Sequence, residues 1–283
     1  MNGVADENTH QLKNKCSARQ LPPHIHRMRR HGDTSGTLYI VKECRQGSDE
    51  AKILKFLQTL KPPCKYIISL IETIVSNAGT YLVLPDRQSV EEQLHCFTDG
   101  GHLRGMFLDL SRDLTIGLSF LHKNGIAHLD IKPSNLVYTN ESRPRLEIID
   151  FDIAVQVQNE EEEIDDYCGS RDWMAPEIGE ENGPRRMYSP VRADKWSCGR
   201  VLRLFAERHG KADEGLRGFA ARLMNGNPRN RPPLLEWLES RTKVPIAVVP
   251  KKRQRVDVDM PIVVFDGDGV RPPDAAVAMV KAH

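Results

Sequence analysis

The chain has 283 residues, 39% of them apolar, enough to bury a substantial core; at roughly 150 residues per domain it holds one large or two modest domains. Its 40 basic and 39 acidic side chains leave a formal charge of +1, which excludes a general electrostatic attraction to nucleic acid or to an anionic membrane. No stretch approaches the roughly 20 apolar residues of a membrane span, and Met1 to Gln20 lacks the apolar centre of a secretion signal, so the expectation is a soluble, intracellular protein.

Residues 1–30 mix His, Lys, Arg, Asn and Pro without a period and read as a poorly ordered arm with room for an edge strand. The run Leu38 to Lys42 is β-branched and aromatic, and Gly32, Asp33 and Gly36 before it supply turn chemistry, so the pair predicts a hairpin. Asp49 to Leu60 predicts a helix with Ile53, Leu54, Leu57 and Leu60 at helical spacing. Tyr66 to Val75 and Thr80 to Leu84 predict two strands around an Asn77-Ala78-Gly79 turn. After Pro85 the pattern changes from strand-rich to helix-rich. Met106 to Lys123 places Phe107, Leu110, Leu114, Leu118 and Leu121 on one face, and Asn124-Gly125 suits a left-handed cap. Leu136 to Tyr138 and Leu146 to Ile149 read as short extended pieces. Trp196, Val201, Leu202 and Phe205 predict a buried helix, with weaker helical patterns over Glu214 to Met224 and Leu234 to Glu239. From Lys243 onward the composition predicts a flexible tail. The six cysteines, Cys16, Cys44, Cys64, Cys96, Cys168 and Cys198, form no C-x-x-C pair, which speaks against a zinc site or disulfide scaffold and for a reducing compartment.

Chemistry concentrates between the long helix and the two extended pieces. His128-Leu129-Asp130-Ile131-Lys132-Pro133-Ser134-Asn135 is followed, after the second piece, by Asp150-Phe151-Asp152. Phosphoryl transfer needs a carboxylate to orient the acceptor hydroxyl, a cation near the moving phosphate and oxygen ligands for magnesium, because its catalysis is mostly positioning and charge stabilisation. Asp130, Lys132, Asn135 and Asp150 are that inventory. The segment resembles the catalytic loop and Asp-Phe-Gly magnesium motif of eukaryotic protein kinases. A lysine two residues after the aspartate is similar to the serine/threonine branch.

The resemblance spans Thr37 to Leu238. It implies an α+β, two-lobed protein kinase-like fold with a small β-rich N-lobe over residues 31–85 and a mainly helical C-lobe over residues 86–242. It implies Asp130 as catalytic base, Lys132 on the γ-phosphate, and Asn135 and Asp150 as magnesium ligands. Lys42 ends a strand as the family's phosphate-contacting lysine does, and Glu50 is its implied ion-pair partner, although only eight positions separate them, which predicts a truncated connection and helix. Gly169 to Glu177 is similar to the substrate loop ending in Ala-Pro-Glu, with Ser170 beside the base. Asp194 to Gly199 resembles the core-helix motif whose aspartate braces the catalytic loop, and Arg231 is implied to pair with Glu177. ATP and Mg2+ follow as cofactors, a protein as substrate, and neither nucleic acid nor membrane as partner.

The chain departs from the family pattern in several places. No G-x-G-x-x-G precedes Lys42, and Ile40 stands where a small alanine usually lies two residues before the lysine, a bulk that crowds the adenine. These departures leave a second reading open, a pseudokinase that binds proteins and little or no nucleotide. Asp152 replaces a glycine, predicting a less mobile motif that still binds metal through Asp150. Leu129 replaces the arginine that in many kinases pairs with a phosphorylated loop, so activity is expected not to depend on loop phosphorylation. Glu160 to Glu163, Asp165 and Asp166 place six acids in seven positions, read either as a solvated mobile loop or as a selector of basic substrates. Asp194 to Arg231 is short, so a helix between them is expected to be reduced or absent. Pro250 to Arg255 resembles a nuclear-localisation signal, with a solubilising patch as the alternative, so the expected location is cytoplasmic and/or nuclear. His24 and His26 read as exposed side chains of the arm.

Overall fold

A computed structural model describes residues 21–45, 47–77, 79–95, 106–208, 213–241 and 279–281. Strands β1 (Ile25–Arg30) and β2 (Tyr39–Glu43) form the expected antiparallel hairpin, with Ile25 opposite Lys42 and Met28 opposite Tyr39. The turn between them uses Gly32 and Gly36 at φ 77° and 75°, and the Asp33 carboxylate accepts the Ser35 N–H at 2.7 Å. The sheet thus starts at Ile25, inside the stretch expected as an arm. Helix α1 (Glu50–Thr59) follows a very short connection and buries Ile53, Leu54 and Leu57 beneath the sheet.

Strands β3 (Glu72–Ser76) and β4 (Gly79–Pro85) complete the lobe, and β4 pairs with β2 so that Lys42 faces Leu82. The run read as one strand from Tyr66 to Val75 divides in two. Its first half leaves the sheet and bonds to the second lobe, where Ile148 N–H donates to the Tyr66 carbonyl at 2.9 Å and Ile68 N–H to the Ile148 carbonyl at 3.0 Å. Burial of Tyr66, Ile67, Ile68 and Leu70 drives this, because both faces of the segment are covered.

Beyond Pro85 come β5 (Gln88–Ser89), α2 (Val90–His95) and the long α3 (Phe107–Lys123), whose Leu110, Leu114, Leu118 and Leu121 are buried as their spacing predicts. Asn124 N–H bonds back to Phe120 and Leu121 carbonyls, and Gly125 at φ 75° ends the helix; a side chain there would meet the Val157 carbonyl. Strand β6 (Ile126–Ala127) pairs with β9 (Val155–Gln156), while β7 (Leu136–Tyr138) lies between β5 and β8 (Leu146–Ile148). These two small sheets hold the loops that carry the chemistry.

Helices α4 (Pro190–Arg208), α5 (Glu214–Leu223) and α6 (Glu236–Arg241) form the base. Gly199 lets α4 and α5 touch, since a Cβ there would sit 2.9 Å from the Ala220 carbonyl. Helix α5 begins at Glu214, six positions after α4 ends at Arg208. A last strand, β10 (Met279–Lys281), adds antiparallel to β1, giving the sheet order β10-β1-β2-β4-β3. It lies within the stretch expected as a tail. One hydrophobic cluster runs from Ile53, Leu54 and Leu82 through Leu114, Ile148 and Phe151 to Phe205 and Phe219, so the lobes share a core. The two-lobed α+β arrangement implied by the resemblance is the one observed. Among the described residues the cysteines are free thiols, and no helix is long and apolar enough to cross a membrane. The N-terminal polar stretch, Cys16, Cys96 and the basic run at Lys251 lie outside the described residues.

Candidate active site

Strand β2 delivers Lys42 into the cleft, where the side chain is buried. Its Nζ lies 2.8 Å from Glu50 Oε2, 2.5 Å from Asp150 Oδ1 and 3.2 Å from Asp152 Oδ2. Glu50 reaches this position from the first residue of α1, which the short connection from β2 makes possible. Its other oxygen accepts the Phe151 N–H at 3.1 Å, so one carboxylate ties strand, helix and the Asp-Phe-Asp turn together. The Ser48 hydroxyl accepts the Glu50 N–H at 3.1 Å and itself donates to Asp152 Oδ1 at 3.2 Å.

Three carboxylates around one ammonium leave the cluster acidic. Burial works against the charge on Lys42, yet the Glu50 and Asp150 carboxylates outweigh it and hold the ammonium above its ordinary value. Burial pushes Glu50 up to about 7, since Lys42 offsets only part of that cost and Asp152 and Asp150 add repulsion. For Asp150, burial is outweighed by Lys42, with help from His128 and Lys132, and its carboxyl is held below the ordinary range.

Asp152 departs from the sequence expectation in its contacts more than in its backbone. Positive φ among the non-glycine residues described occurs at Asp150 (69°) and Leu129 (64°), so position 152 does not demand glycine. Its carboxylate joins the Lys42 cluster, and the oxygens of Glu50, Asp150 and Asp152 lie within 4.8 Å of one another. No sequence signal places Asp152 on Lys42, because the two are far apart in the chain.

In the second lobe the loop from His128 to Asn135 folds over the N-terminal half of α4. Asp194 Oδ2 accepts the His128 N–H and Oδ1 the Leu129 N–H, each at 2.7 Å, and the His122 ring lies 2.9 Å from Oδ2. This grip holds Leu129 in its left-handed conformation. Leu129 packs on Met174, Ala175, Ile178 and Tyr188, so the position is filled by apolar contact. His128 lies within 3.0 Å of the Ile149 carbonyl and packs against Phe151, with ring centroids 5.0 Å apart.

Asp130 Oδ2 accepts from Asn135 Nδ2 at 2.9 Å and pairs with Lys132 Nζ at 2.8 Å. Lys132 also donates to the Ser170 hydroxyl at 2.6 Å. Asp130 Oδ1 is buried and has no hydrogen-bond partner among the described residues. A buried carboxylate oxygen in that condition is open to a proton donor, a substrate hydroxyl among them. Asn135 turns its amide nitrogen to the Asp130 side chain and carbonyl, which leaves its oxygen as the atom able to face a cation. With the anionic Asp150, the donor set is hard oxygen, the kind magnesium takes.

The substrate-loop segment differs from its sequence reading. Glu160 and Glu161, read either as part of a solvated mobile loop or as selectors of basic substrates, pair with Arg192 and Lys195 of α4. Glu177 accepts from both Arg231 terminal nitrogens, at 2.5 and 2.8 Å.

The family profile described as Protein kinase domain matches residues 28–238, well over half the chain. Among curated proteins, a serine/threonine-protein kinase of Saccharomyces cerevisiae is 29% identical over 58% of this chain and 15% of its own length. A probable myosin light chain kinase of Dictyostelium discoideum is 30% identical, covering 60% of this chain and 43% of its own. A MAP kinase-interacting serine/threonine-protein kinase 1 of Xenopus tropicalis is 29% identical over 59% and 43%. The chain spans less than half the length of each of these relatives.

Proposed function

We propose that this chain, which belongs to the protein kinase family, transfers the γ-phosphate of ATP to a serine or threonine hydroxyl of a protein. The observation that carries the reading is Asp130 Oδ1, buried and unpartnered among the described residues while Oδ2 is anchored by Asn135 and Lys132. A substrate hydroxyl seated on Oδ1 would be oriented for in-line attack and would lose its proton to the carboxylate as the new O–P bond forms and the bond from the γ-phosphorus to the bridging oxygen of the departing ADP breaks. Lys132, fixed between Asp130 and Ser170, would meet the γ-phosphate, and Lys42, aligned by Glu50, the other phosphates. Asn135 and Asp150 would hold Mg2+, which supplies charge neutralisation on the phosphates when bound.

The first lobe is assigned to residues 25–85 together with β10, six residues earlier than the sequence alone implies, and the second to residues 86–242, with ATP between them. Relatives named serine/threonine kinases, and a lysine at 132, support the choice of acceptor. The proposed partners are ATP and a protein substrate, with no role for nucleic acid or membrane, and the proposed location is cytoplasmic and/or nuclear.

One observation favours the pseudokinase alternative. The matched region opens at residue 28 and contains no G-x-G-x-x-G before Lys42, so the glycines that let backbone amides close over phosphates are lacking there. Retention of Asp130, Lys132, Asn135 and Asp150 together weighs on the other side, since a scaffold has no chemical need for all four. Incubation with γ-labelled ATP, Mg2+ and an array of Ser- and Thr-containing peptides decides between them. Label on peptides from the native protein, lost in Asp130→Asn, is the expected result; no label from either protein would move the reading to the pseudokinase.

A further inference from the structure

Between Asp150-Phe151-Asp152 and Ala175-Pro176-Glu177, the chain carries two hydroxyl side chains, Tyr167 and Ser170. Ser170 is already bonded to Lys132. Leu129 puts an apolar group where a cation would be needed to receive a phosphate. The loop is nevertheless fastened. Lys195 Nζ donates to Glu160 Oε1 at 2.7 Å, Arg192 Nε lies 3.4 Å from the same oxygen, and Arg192 pairs with Glu161. The Ser189 hydroxyl donates to the Glu160 carbonyl at 2.6 Å, and Ile164 and Tyr188 exchange backbone bonds at 3.0 and 2.9 Å.

The burial is asymmetric. The Arg192 and Lys195 side chains are 9% and 7% exposed, against 42% for Glu160 and 69% for Glu161. Two cations sunk in a helix must be neutralised, and the loop acids are what neutralise them. Arg192 and Lys195 also flank Asp194, the residue that grips the catalytic loop. One short stretch of α4 therefore holds both loops in register, and the substrate loop runs from this anchor to Ser170 beside Lys132.

We infer that Glu160 and Glu161, clamped on Arg192 and Lys195, are positioning residues that keep the substrate loop in its working place without phosphorylation. The inference about activity rests on the proposed kinase reading; the clamp itself does not.

The test uses full-length protein shown by intact mass to carry no phosphate, with two readouts: amide hydrogen exchange over residues 158–170, and phosphotransfer to peptide. The variants are Glu160→Gln with Glu161→Gln, and Arg192→Met with Lys195→Met. The second pair replaces the buried charges by apolar side chains of similar length, a change that buried ion pairs often accept without loss of stability. The native loop should be protected, and both variants should exchange about tenfold faster there while α3 and α5 stay protected. In both variants the kcat for peptide should fall with KM for ATP held. The conservative Lys195→Arg, which keeps the cation facing Glu160, should retain protection. Equal exchange in native protein and variants, or a native loop protected only after phosphorylation of Tyr167 or Ser170, would overturn the inference. A protected loop in a protein that transfers no phosphate would sink the kinase reading and leave the clamp standing; an active enzyme with an unprotected native loop would do the reverse.

Discussion

Lys42 Nζ and Asp150 Oδ1 lie 2.5 Å apart, a bond that joins the central strand of the first lobe to the turn after β8 in the second. Three carboxylates surround the ammonium, and the hydrogen bond it donates goes to Asp150. A phosphate approaching it competes with these carboxylates for the charge. Of the three, Asp150 is the one proposed, with Asn135, to hold magnesium. Nucleotide and magnesium should for this reason bind together.

Asp152→Gly tests whether the extra carboxylate helps or hinders that exchange. Asp152 is the most distant of the three from Lys42 and is held independently by Ser48. Its removal should change Mg-ATP affinity by less than about fivefold, the worth of a partly exposed ion pair. Isothermal titration measures this, and a large gain in affinity would mean that Asp152 disrupts the site.

Asp194→Asn should damage the catalytic loop without touching the cleft's own charges. The carboxylate accepts two backbone N–H groups, one on each oxygen, whereas an amide offers a single acceptor. One buried N–H is left unbonded, a cost of about 1–3 kcal/mol, read by urea unfolding. Mg-ATP binding at Lys42 should persist while phosphotransfer falls; unchanged phosphotransfer would show that the grip does not position Asp130.

Arg231→Met should be among the more damaging single changes in the second lobe. The side chain is buried, forks onto Glu177, and donates to the Asn225 and Arg192 carbonyls at 3.1 and 2.8 Å. Loss of the guanidinium leaves a carboxylate and two carbonyls short of donors and should cost about 3 kcal/mol in urea unfolding. Arg231→Lys should recover little of it, because an ammonium lacks the fork. A cost under about 1 kcal/mol for Arg231→Met would contradict the burial argument.

The second lobe was legible because its chemistry lies in contiguous runs: Asp130, Lys132 and Asn135 sit within six residues, and α3 and α4 repeat apolar side chains at helical spacing. The Lys42 and Glu50 juxtaposition was legible through the family resemblance, which places a lysine late in a strand and its glutamate on the helix that follows. What sequence hid was set by distant partners. Tyr66 to Leu70 has strand composition, and only its bonds to Ile148 place it at the lobe junction. Met279–Lys281 is too short for a pattern, and its pairing with Met28–Arg30 joins opposite ends of the chain. Glu160 and Glu161 look like solvated acids because the cations that hold them, Arg192 and Lys195, stand on a helix otherwise read by its apolar face.

The most direct test of the account is thermal unfolding of native protein with ATP alone, with Mg2+ alone and with both, beside Lys42→Met and Asp150→Asn. At roughly 100 times its dissociation constant, a ligand adds about 2.7 kcal/mol, several degrees for a chain of this size. The account predicts such a shift in the native protein only when both are present, and its weakening in both variants. No shift at millimolar Mg-ATP, or an equal shift in all three proteins, would contradict it.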